Sequence, residues 1–293
     1  MLKLLALLVI AGLIGSCAAV LGVGLWLSAP AQTVIGTPPA DLAAEAVEFP
    51  SASSATIRGW FVAGRLGGGA VVLMHGLRGN RLGMVRRARL LHAAGFSVLL
   101  FDLQAHGEST GKRITFGALE GRDAAAAVAF MKARLPGEKI GVIGTSLGGA
   151  AALLGPEPLR LDALVLEAVY PDIGAATANR VSVVLGARLG TIVSKPAARL
   201  FELLMAPIIG VKPSDLRPID RIADIRAPVL IVGGARDDRT TAVETRALFD
   251  RVRDPKFLWM LEDAGHFDFE AHAPEQYRAY VLPFLAQRLQ RPN

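Results

Sequence analysis

Hydrophobic positions along the chain fall into two regimes. From Leu4 to Leu27 they are continuous, with no charged side chain and only Ser16 and Cys17 interrupting aliphatic residues, glycine and Trp26. These 24 residues would rise about 36 Å as a helix, enough for a hydrocarbon core of about 30 Å. The run exceeds the about 7–15 apolar residues of a secretory signal. It therefore reads as a signal anchor, a transmembrane helix within residues 1–29. Pro30, Pro38 and Pro39 among small residues then mark a linker over 30–45. Lys3 and the amino terminus precede the run, while Asp41, Glu45 and Glu48 follow it against only Arg58 and Arg65. That balance keeps the N-terminus inside and places the folded domain outside the cytoplasm, in the periplasm of a bacterium.

From residue 46 to the C-terminus the pattern changes to short buried runs alternating with longer helical periods. Ile57–Val62 reads as an antiparallel lead-in. Ala70–Met74, Ser97–Phe101, Ile140–Ile143, Leu164–Leu166, Val229–Val232 and Phe257–Leu261 read as buried strands. Helical spacing covers Arg81–Ala94, Leu119–Arg134, Leu147–Leu154, Ala242–Val252 and Glu275–Leu289. Alternation of this kind predicts an α/β domain with a mostly parallel sheet covered on both faces. The rhythm breaks over 172–217, where apolar residues continue without a strand pattern. Two or three inserted helices fit there, as a cap over a site or as cover for a sheet edge.

Composition narrows the class. At 52% hydrophobic and 20% charged residues the chain can bury a sizeable core, and about 260 residues beyond the anchor suit one domain with an insertion. Cys17 is the only cysteine, so an intramolecular disulfide is excluded. Ile14-Gly15-Ser16-Cys17 resembles a lipoprotein processing box, but Ala18 to Leu27 stays apolar where such a protein turns polar. The net charge of +6 is modest, yet Arg78, Arg81, Arg86, Arg87 and Arg89 lie within twelve residues. They fit a solvated helix face, or contact with anionic headgroups or an acidic substrate. Interleaved aromatics are absent from the cluster, and nucleic acid is not expected as a partner.

One segment carries chemistry most directly. Gly144-Thr145-Ser146-Leu147-Gly148 lies between a predicted strand and a helix rich in small residues, the context a G-x-S-x-G turn needs. The sharp turn requires glycine clearance and lifts a serine above the sheet edge at a helix N-terminus. Serine is a weak nucleophile at neutral pH and needs a base, itself oriented by an acid. Of the five histidines only His266 and His272 follow Ser146, and His266 sits directly beyond the last strand. His272 reads as a surface residue. The strand Val229–Val232 runs into a glycine turn that delivers Asp237 or Asp238 to the same edge, with Glu167 as a reserve acid. The order serine, acid, histidine is that of α/β-hydrolases and not of chymotrypsin-like or subtilisin-like enzymes.

With these residues in place, the chain from 46 to 290 resembles the α/β-hydrolase superfamily, in its serine aminopeptidase-like and esterase-lipase branch. Met74-His75-Gly76-Leu77 looks like the family's His-Gly oxyanion segment. Asp102 to Ser109 resembles its Asp-x-x-x-x-His-Gly-x-Ser loop, with Gln104 and Ala105 where arginine and glycine are common. Arg217-Pro218-Ile219-Asp220 and Ala227-Pro228-Val229-Leu230 resemble its cap exit and penultimate strand. The resemblance implies an α/β-hydrolase fold with a small helical cap at about 172–217. It selects Asp237 over Asp238, and it implies an oxyanion hole formed by the backbone N–H groups of Leu77 and Leu147. His75 and His106 read as structural loop residues.

The expected activity is hydrolysis of a carboxylic ester through Ser146, His266 and Asp237 with an acyl-enzyme intermediate, acting on a small-molecule acyl substrate at a membrane. A peptidase, a thioesterase and a non-catalytic scaffold of the same fold are the alternatives. Gly107 to Lys112 is one residue short of a phosphate loop, and Arg113 stands where a magnesium-binding hydroxyl belongs. Neither cofactor nor metal is expected.

Overall fold

The structure, a computed structural model, describes residues 2–291. Eight strands form the main sheet: β1 Glu45–Pro50, β2 Thr56–Val62, β3 Ala70–Met74, β4 Ser97–Phe101, β5 Ile140–Thr145, β6 Ala163–Glu167, β7 Val229–Gly234 and β8 Lys256–Leu261. Their order across the sheet is β8-β7-β6-β5-β3-β4-β2-β1. From β8 to β4 every pair is parallel, while β4–β2 and β2–β1 are antiparallel. The chain enters the parallel part at β3, moves out to β4, and then crosses back to β5 on the other side of β3. The loops after β3 and β5 therefore diverge at the C-terminal ends of neighbouring strands, leaving the crevice in which open α/β sheets bind ligands.

The apolar runs read as strands are continuous because both faces are covered. In β3, Ala70, Val72 and Met74 enter one core and Val71 and Leu73 the other. The first core receives helices α3 (Glu120–Arg134) and α4 (Leu147–Leu154), and the second receives α2 (Val85–Ala93) and the C-terminal helix Pro274–Leu289. Strand β1 did not show in the hydrophobic pattern, because it is an edge strand. Only Phe49 is buried, and Glu45, Glu48 and Pro50 give it the charged, proline-ended character that discourages further pairing.

The segment 172–217 is helical and lies over the C-terminal edge of the sheet. Helix α5, Ile173–Ile209, begins at Asp172, whose carboxylate accepts the Ala175 N–H at 2.8 Å, and is broken at Gly186, where φ is 72°. A Cβ on Gly190 would lie 2.8 Å from Ser182 Cα, so the two halves fold back on one another. Helix α1, Leu2–Ser28, has over Lys3–Ser28 a mean hydropathy of 2.7 and is long and apolar enough to cross a membrane. Most of it stands clear of the domain, but Val20, Leu21, Gly24 and Leu27 pack against the core that includes α5.

The stretch 30–45, expected to be a linker, is fastened to the domain. Ala31 and Gln32 pair in parallel with His106 and Gly107, Ile35 and Gly36 donate their N–H groups to Glu108 Oε1, and Leu42 is buried. Its partners come from a loop some seventy residues away, which a local pattern does not reveal.

The arginine cluster meets the solvated-face reading only in part. Arg81 is buried against Asp102 and Glu108, and Arg87 against Glu167 and Asp268. Arg86 pairs with Glu270 and Arg89 with Asp41, while Arg78 binds backbone carbonyls of α1. Arg81 and Arg87 are thus spent inside the molecule, while Arg86 and Arg89 stay exposed on the helix face, each with a carboxylate partner.

Asp123 on α3 is buried beneath the loop that follows β4. Its carboxyl accepts hydrogen bonds from the Ser51 and Ser53 hydroxyls, both at 2.6 Å, and from Gln104 N–H at 2.8 Å. Burial pushes its pKa up to about 7, against these hydrogen bonds, which favour the carboxylate. A folded-state pKa above the unfolded value near 3.8 means the folded state holds the proton more tightly. Its contribution to stability is then full below about pH 4 and is lost as pH rises through 7. Chemical denaturation of wild type and Asp123→Asn at pH 5 and pH 8 is expected to show a larger loss on raising the pH in the wild type. Equal losses would contradict the assignment.

Candidate active site

The turn between β5 and α4 builds the centre of the site. Ser146 has φ 51° and ψ −110°, a conformation that costs on the order of 1–3 kcal/mol for a residue with a Cβ and persists only where its surroundings enforce it. Here its N–H donates to Glu167 O at 2.8 Å, and its carbonyl accepts from Ala150 N–H as α4 begins. Close packing allows no larger residue at Gly148, where a Cβ would lie 2.4 Å from Met74 O. The glycine thus lets α4 approach the end of β3, and the small side chains of α4 continue that contact.

The carboxylate of Glu167, at the end of β6, holds this turn from below. It accepts from Thr145 Oγ1 at 2.9 Å, Tyr277 Oη at 2.5 Å and Arg87 Nη2 at 2.8 Å. Burial alone would lower the Arg87 pKa, but the charge of Glu167, with Tyr277 and Asp268, leaves it well above its ordinary value. Glu167 is fully engaged in this network and is not the acid partner of a histidine.

That position is taken by Asp237. His266 Nδ1 lies 2.8 Å from Asp237 Oδ2, and Asp237 Oδ1 accepts the N–H groups of Arg239 and Thr240, both at 2.8 Å. The glycine turn after β7 thus supplies two backbone donors that fix the carboxylate. Because a buried carboxylate faces Nδ1, this nitrogen carries the proton and Nε2 is left as the acceptor. Asp238 is exposed and points to no histidine among the described residues. His272 sits apart, with Nε2 at 3.1 Å from Asp263 and its ring edge-on to Phe267, as a surface residue should.

The segment after β3 closes the other side. A Cβ built on Gly76 would lie 3.6 Å from Ser146 Cβ, which places the Gly76-Leu77 backbone against the serine. His75 Nε2 accepts Leu103 N–H and its Nδ1 donates to Gly76 O; His106 Nε2 accepts Arg78 N–H and its Nδ1 donates to Gln104 O. Burial, with the neighbouring His106, drives the His75 pKa down to about 3, and burial lowers that of His106. Both rings are therefore neutral struts between two loops. Gln104 and Ala105 also find their roles: the Gln104 amide donates to Glu120 and Arg113 O, while Ala105 takes a φ of 58°, the backbone region that favours the glycine common there.

A cavity of about 30 Å³ lies beside Ser146 and is lined by Leu27, Leu77, Phe116, Leu147, Ile173 and Phe201, and also by the polar Tyr170, Thr177 and Arg180. Among the described residues the Ser146 hydroxyl has no hydrogen bond. The N–H of Leu147 opens α4, where the first four N–H groups have no acceptor within the helix. No group of three or more His, Cys, Asp or Glu side chains suited to a metal occurs among the described residues.

Arg180 was not singled out from the sequence. It belongs to the inserted helix, where Nη1 donates to Ala176 O at 2.8 Å, and only the tertiary fold brings it to the cavity beside the serine. Burial lowers its pKa, with Tyr170 opposing.

Comparison with known proteins agrees with this architecture. The model of the alpha/beta hydrolase family matches residues 71–279. The chain belongs to that family. It is similar to the uncharacterized protein YqkD of Bacillus subtilis, 27% identical over 81% of this chain and 77% of that protein. The uncharacterized protein Rv2307c of Mycobacterium tuberculosis is 30% identical over 72% of this chain and 68% of its own length. Among solved structures, the esterase Pf2001 of Pyrococcus furiosus superposes with a TM-score of 0.72 at 26% identity, covering 90% of this chain and 98% of that one. The chain therefore has an esterase-like α/β-hydrolase fold, which supports hydrolase activity.

The Arg87–Glu167 pair yields a direct test of the scaffold. Arg87→Met leaves Glu167 buried without its counter-charge, and thermal or denaturant unfolding is expected to show a loss of about 3–5 kcal/mol. A loss below about 1 kcal/mol, the range of exposed pairs, would contradict that role.

Proposed function

We propose that the protein is a serine hydrolase that cleaves a carboxylic ester through Ser146, His266 and Asp237. The observation that carries this reading is the His266–Asp237 hydrogen bond, with the second carboxylate oxygen locked by two backbone N–H groups. It leaves one imidazole nitrogen as an oriented base at the same sheet edge as a serine held in a strained turn.

In the proposed reaction His266 Nε2 accepts the Ser146 hydroxyl proton as Oγ attacks the ester carbonyl carbon. The carbonyl oxygen becomes an oxyanion held by the N–H groups of Leu77 and Leu147. Such donors act most strongly where water is excluded, and loss of one typically lowers turnover about 10²–10³-fold. The intermediate then breaks its bond to the alcohol, which leaves with the proton from His266. Water, deprotonated by the same nitrogen, attacks the acyl-serine and releases the acid. Asp237 stays ionised and stabilises the imidazolium that forms twice in the cycle.

The largely apolar cavity suits a hydrocarbon acyl chain, which supports an acyl ester as substrate. We also propose that α1 spans a membrane and leaves the catalytic domain outside the cytoplasm, a reading supported by the helix's length and by Lys3 before it.

A fluorophosphonate probe is expected to label wild type and not Ser146→Ala. Wild-type protein that stays unlabelled while folded would exclude the nucleophile. On p-nitrophenyl esters, Asp237→Asn is expected to lower kcat by about 10³–10⁴-fold, whereas Asp238→Asn changes it little. The reverse ranking would move the acid.

A further inference from the structure

The N-terminal helix ends inside the site. Gly24 of α1 packs so closely on α5 that a Cβ there would lie 2.4 Å from Met205 Sδ and 3.2 Å from Phe201 Cε2. One turn later Leu27 lines the cavity beside Ser146, next to the same Phe201.

Two further elements hold this end. Arg78, the residue after Leu77, donates from Nη1 to Trp26 O at 2.7 Å and to Ala29 O at 3.2 Å. Its guanidinium also lies 4.4 Å from the centroid of the Trp26 ring. A cation on the last carbonyls of a helix has the favourable polarity for the helix dipole. From the other side, Ile114 N–H donates to Ser28 O at 2.8 Å and Arg113 Nη1 to Ser28 Oγ at 3.4 Å. A tether requires none of these contacts, since any linker would hold a domain near a membrane. Together they set the last turns of α1 against the cap, the segment after β3 and the loop at Arg113.

The cavity's size gives the contact a consequence. A volume of about 30 Å³ admits about two or three water-sized groups, the span of a short acyl chain. Most of its walls belong to the scaffold: Leu77 and Leu147 carry the backbone donors, and Phe116 is tied to Tyr170 by a 2.8 Å hydrogen bond. Leu27 and Phe201 belong to α1 and α5, which meet across an apolar contact.

We propose that the end of α1 is a wall of the acyl pocket, and that Leu27 is a specificity-determining residue that restricts the enzyme to short acyl groups. The proposal rests on the esterase reading and narrows its substrate class. With α1 docked, acetyl and butyryl esters fit with the least displacement. Longer chains must push Leu27 and Phe201 apart.

The test uses the full-length protein in detergent micelles, with kcat/KM measured on p-nitrophenyl acetate, butyrate, octanoate and dodecanoate. Wild type is expected to favour the two short esters. Leu27→Ala is expected to raise the octanoate-to-butyrate ratio about tenfold or more, the scale on which apolar pockets discriminate methylenes, and Leu27→Trp to lower it. Gly24→Leu displaces α1 from α5, pressing on Met205 and Phe201 without replacing any residue that lines the cavity, and is expected to move the ratio in the direction of Leu27→Ala. An unchanged ratio in both Leu27→Ala and Gly24→Leu, in protein whose Ser146 still reacts with fluorophosphonate, overturns the proposal, as does a wild type that prefers octanoate. If wild-type Ser146 does not react at all, the hydrolase reading fails first and this one falls with it.

Discussion

The site depends on one buried carboxylate at the end of β6. Glu167 holds Arg87, Tyr277 and Thr145 through its side chain, and its carbonyl oxygen receives the Ser146 N–H. A residue with a Cβ does not stay at φ 51° by preference. It stays because the backbone on both sides is already committed, by the β5–β6 ladder before it and by α4 after it. The ion pair beneath the turn resists displacement because removing either partner would leave a buried charge without compensation. The same network joins β6 to α2 and the C-terminal helix, so the position of Ser146 is linked to packing on the far face of the sheet.

Around that centre the polar groups are arranged to keep loops still. His75 and His106 are too buried to ionise readily, and each accepts one backbone N–H while donating to one carbonyl. Neutral imidazoles suit this task because a single ring supplies one donor and one acceptor in fixed directions. Asp237 is treated similarly, with two N–H groups on one oxygen and His266 on the other. The loops around the candidate site are thus held by hydrogen bonds between side chains and backbone groups.

The N-terminal helix changes how the domain organisation is understood. The chain leaves α1 and passes directly onto the loop after β4, with no free spacer between helix and domain. Arg78 connects the end of α1 to the segment after β3, and Leu27 reaches the cavity beside Ser146. The apolar N-terminal helix and the cavity beside Ser146 share side chains, so the seating of one is coupled to the shape of the other.

The sequence by itself determined the elements whose evidence is local. The parallel strands, the helices between them, the serine turn and the chain order of Ser146, Asp237 and His266 were all legible, because burial on both faces imposes continuous apolar runs and sharp turns demand glycine. The apolar stretch from Leu4 to Leu27 was equally plain. Tertiary structure decided what depends on distant partners. It set Asp237 against His266, gave Glu167 to Arg87, and turned Arg81 and Arg87 of the arginine cluster inward. It also revealed β1, whose exposed edge position erases the alternation of a buried strand, and laid the segment 30–45 along the domain. Arg180 and Leu27 came to the serine in the same way, since a residue on an inserted or N-terminal helix reaches a site only through the packing of that helix. Periodicity reports which face of an element is apolar. It does not report what that face meets.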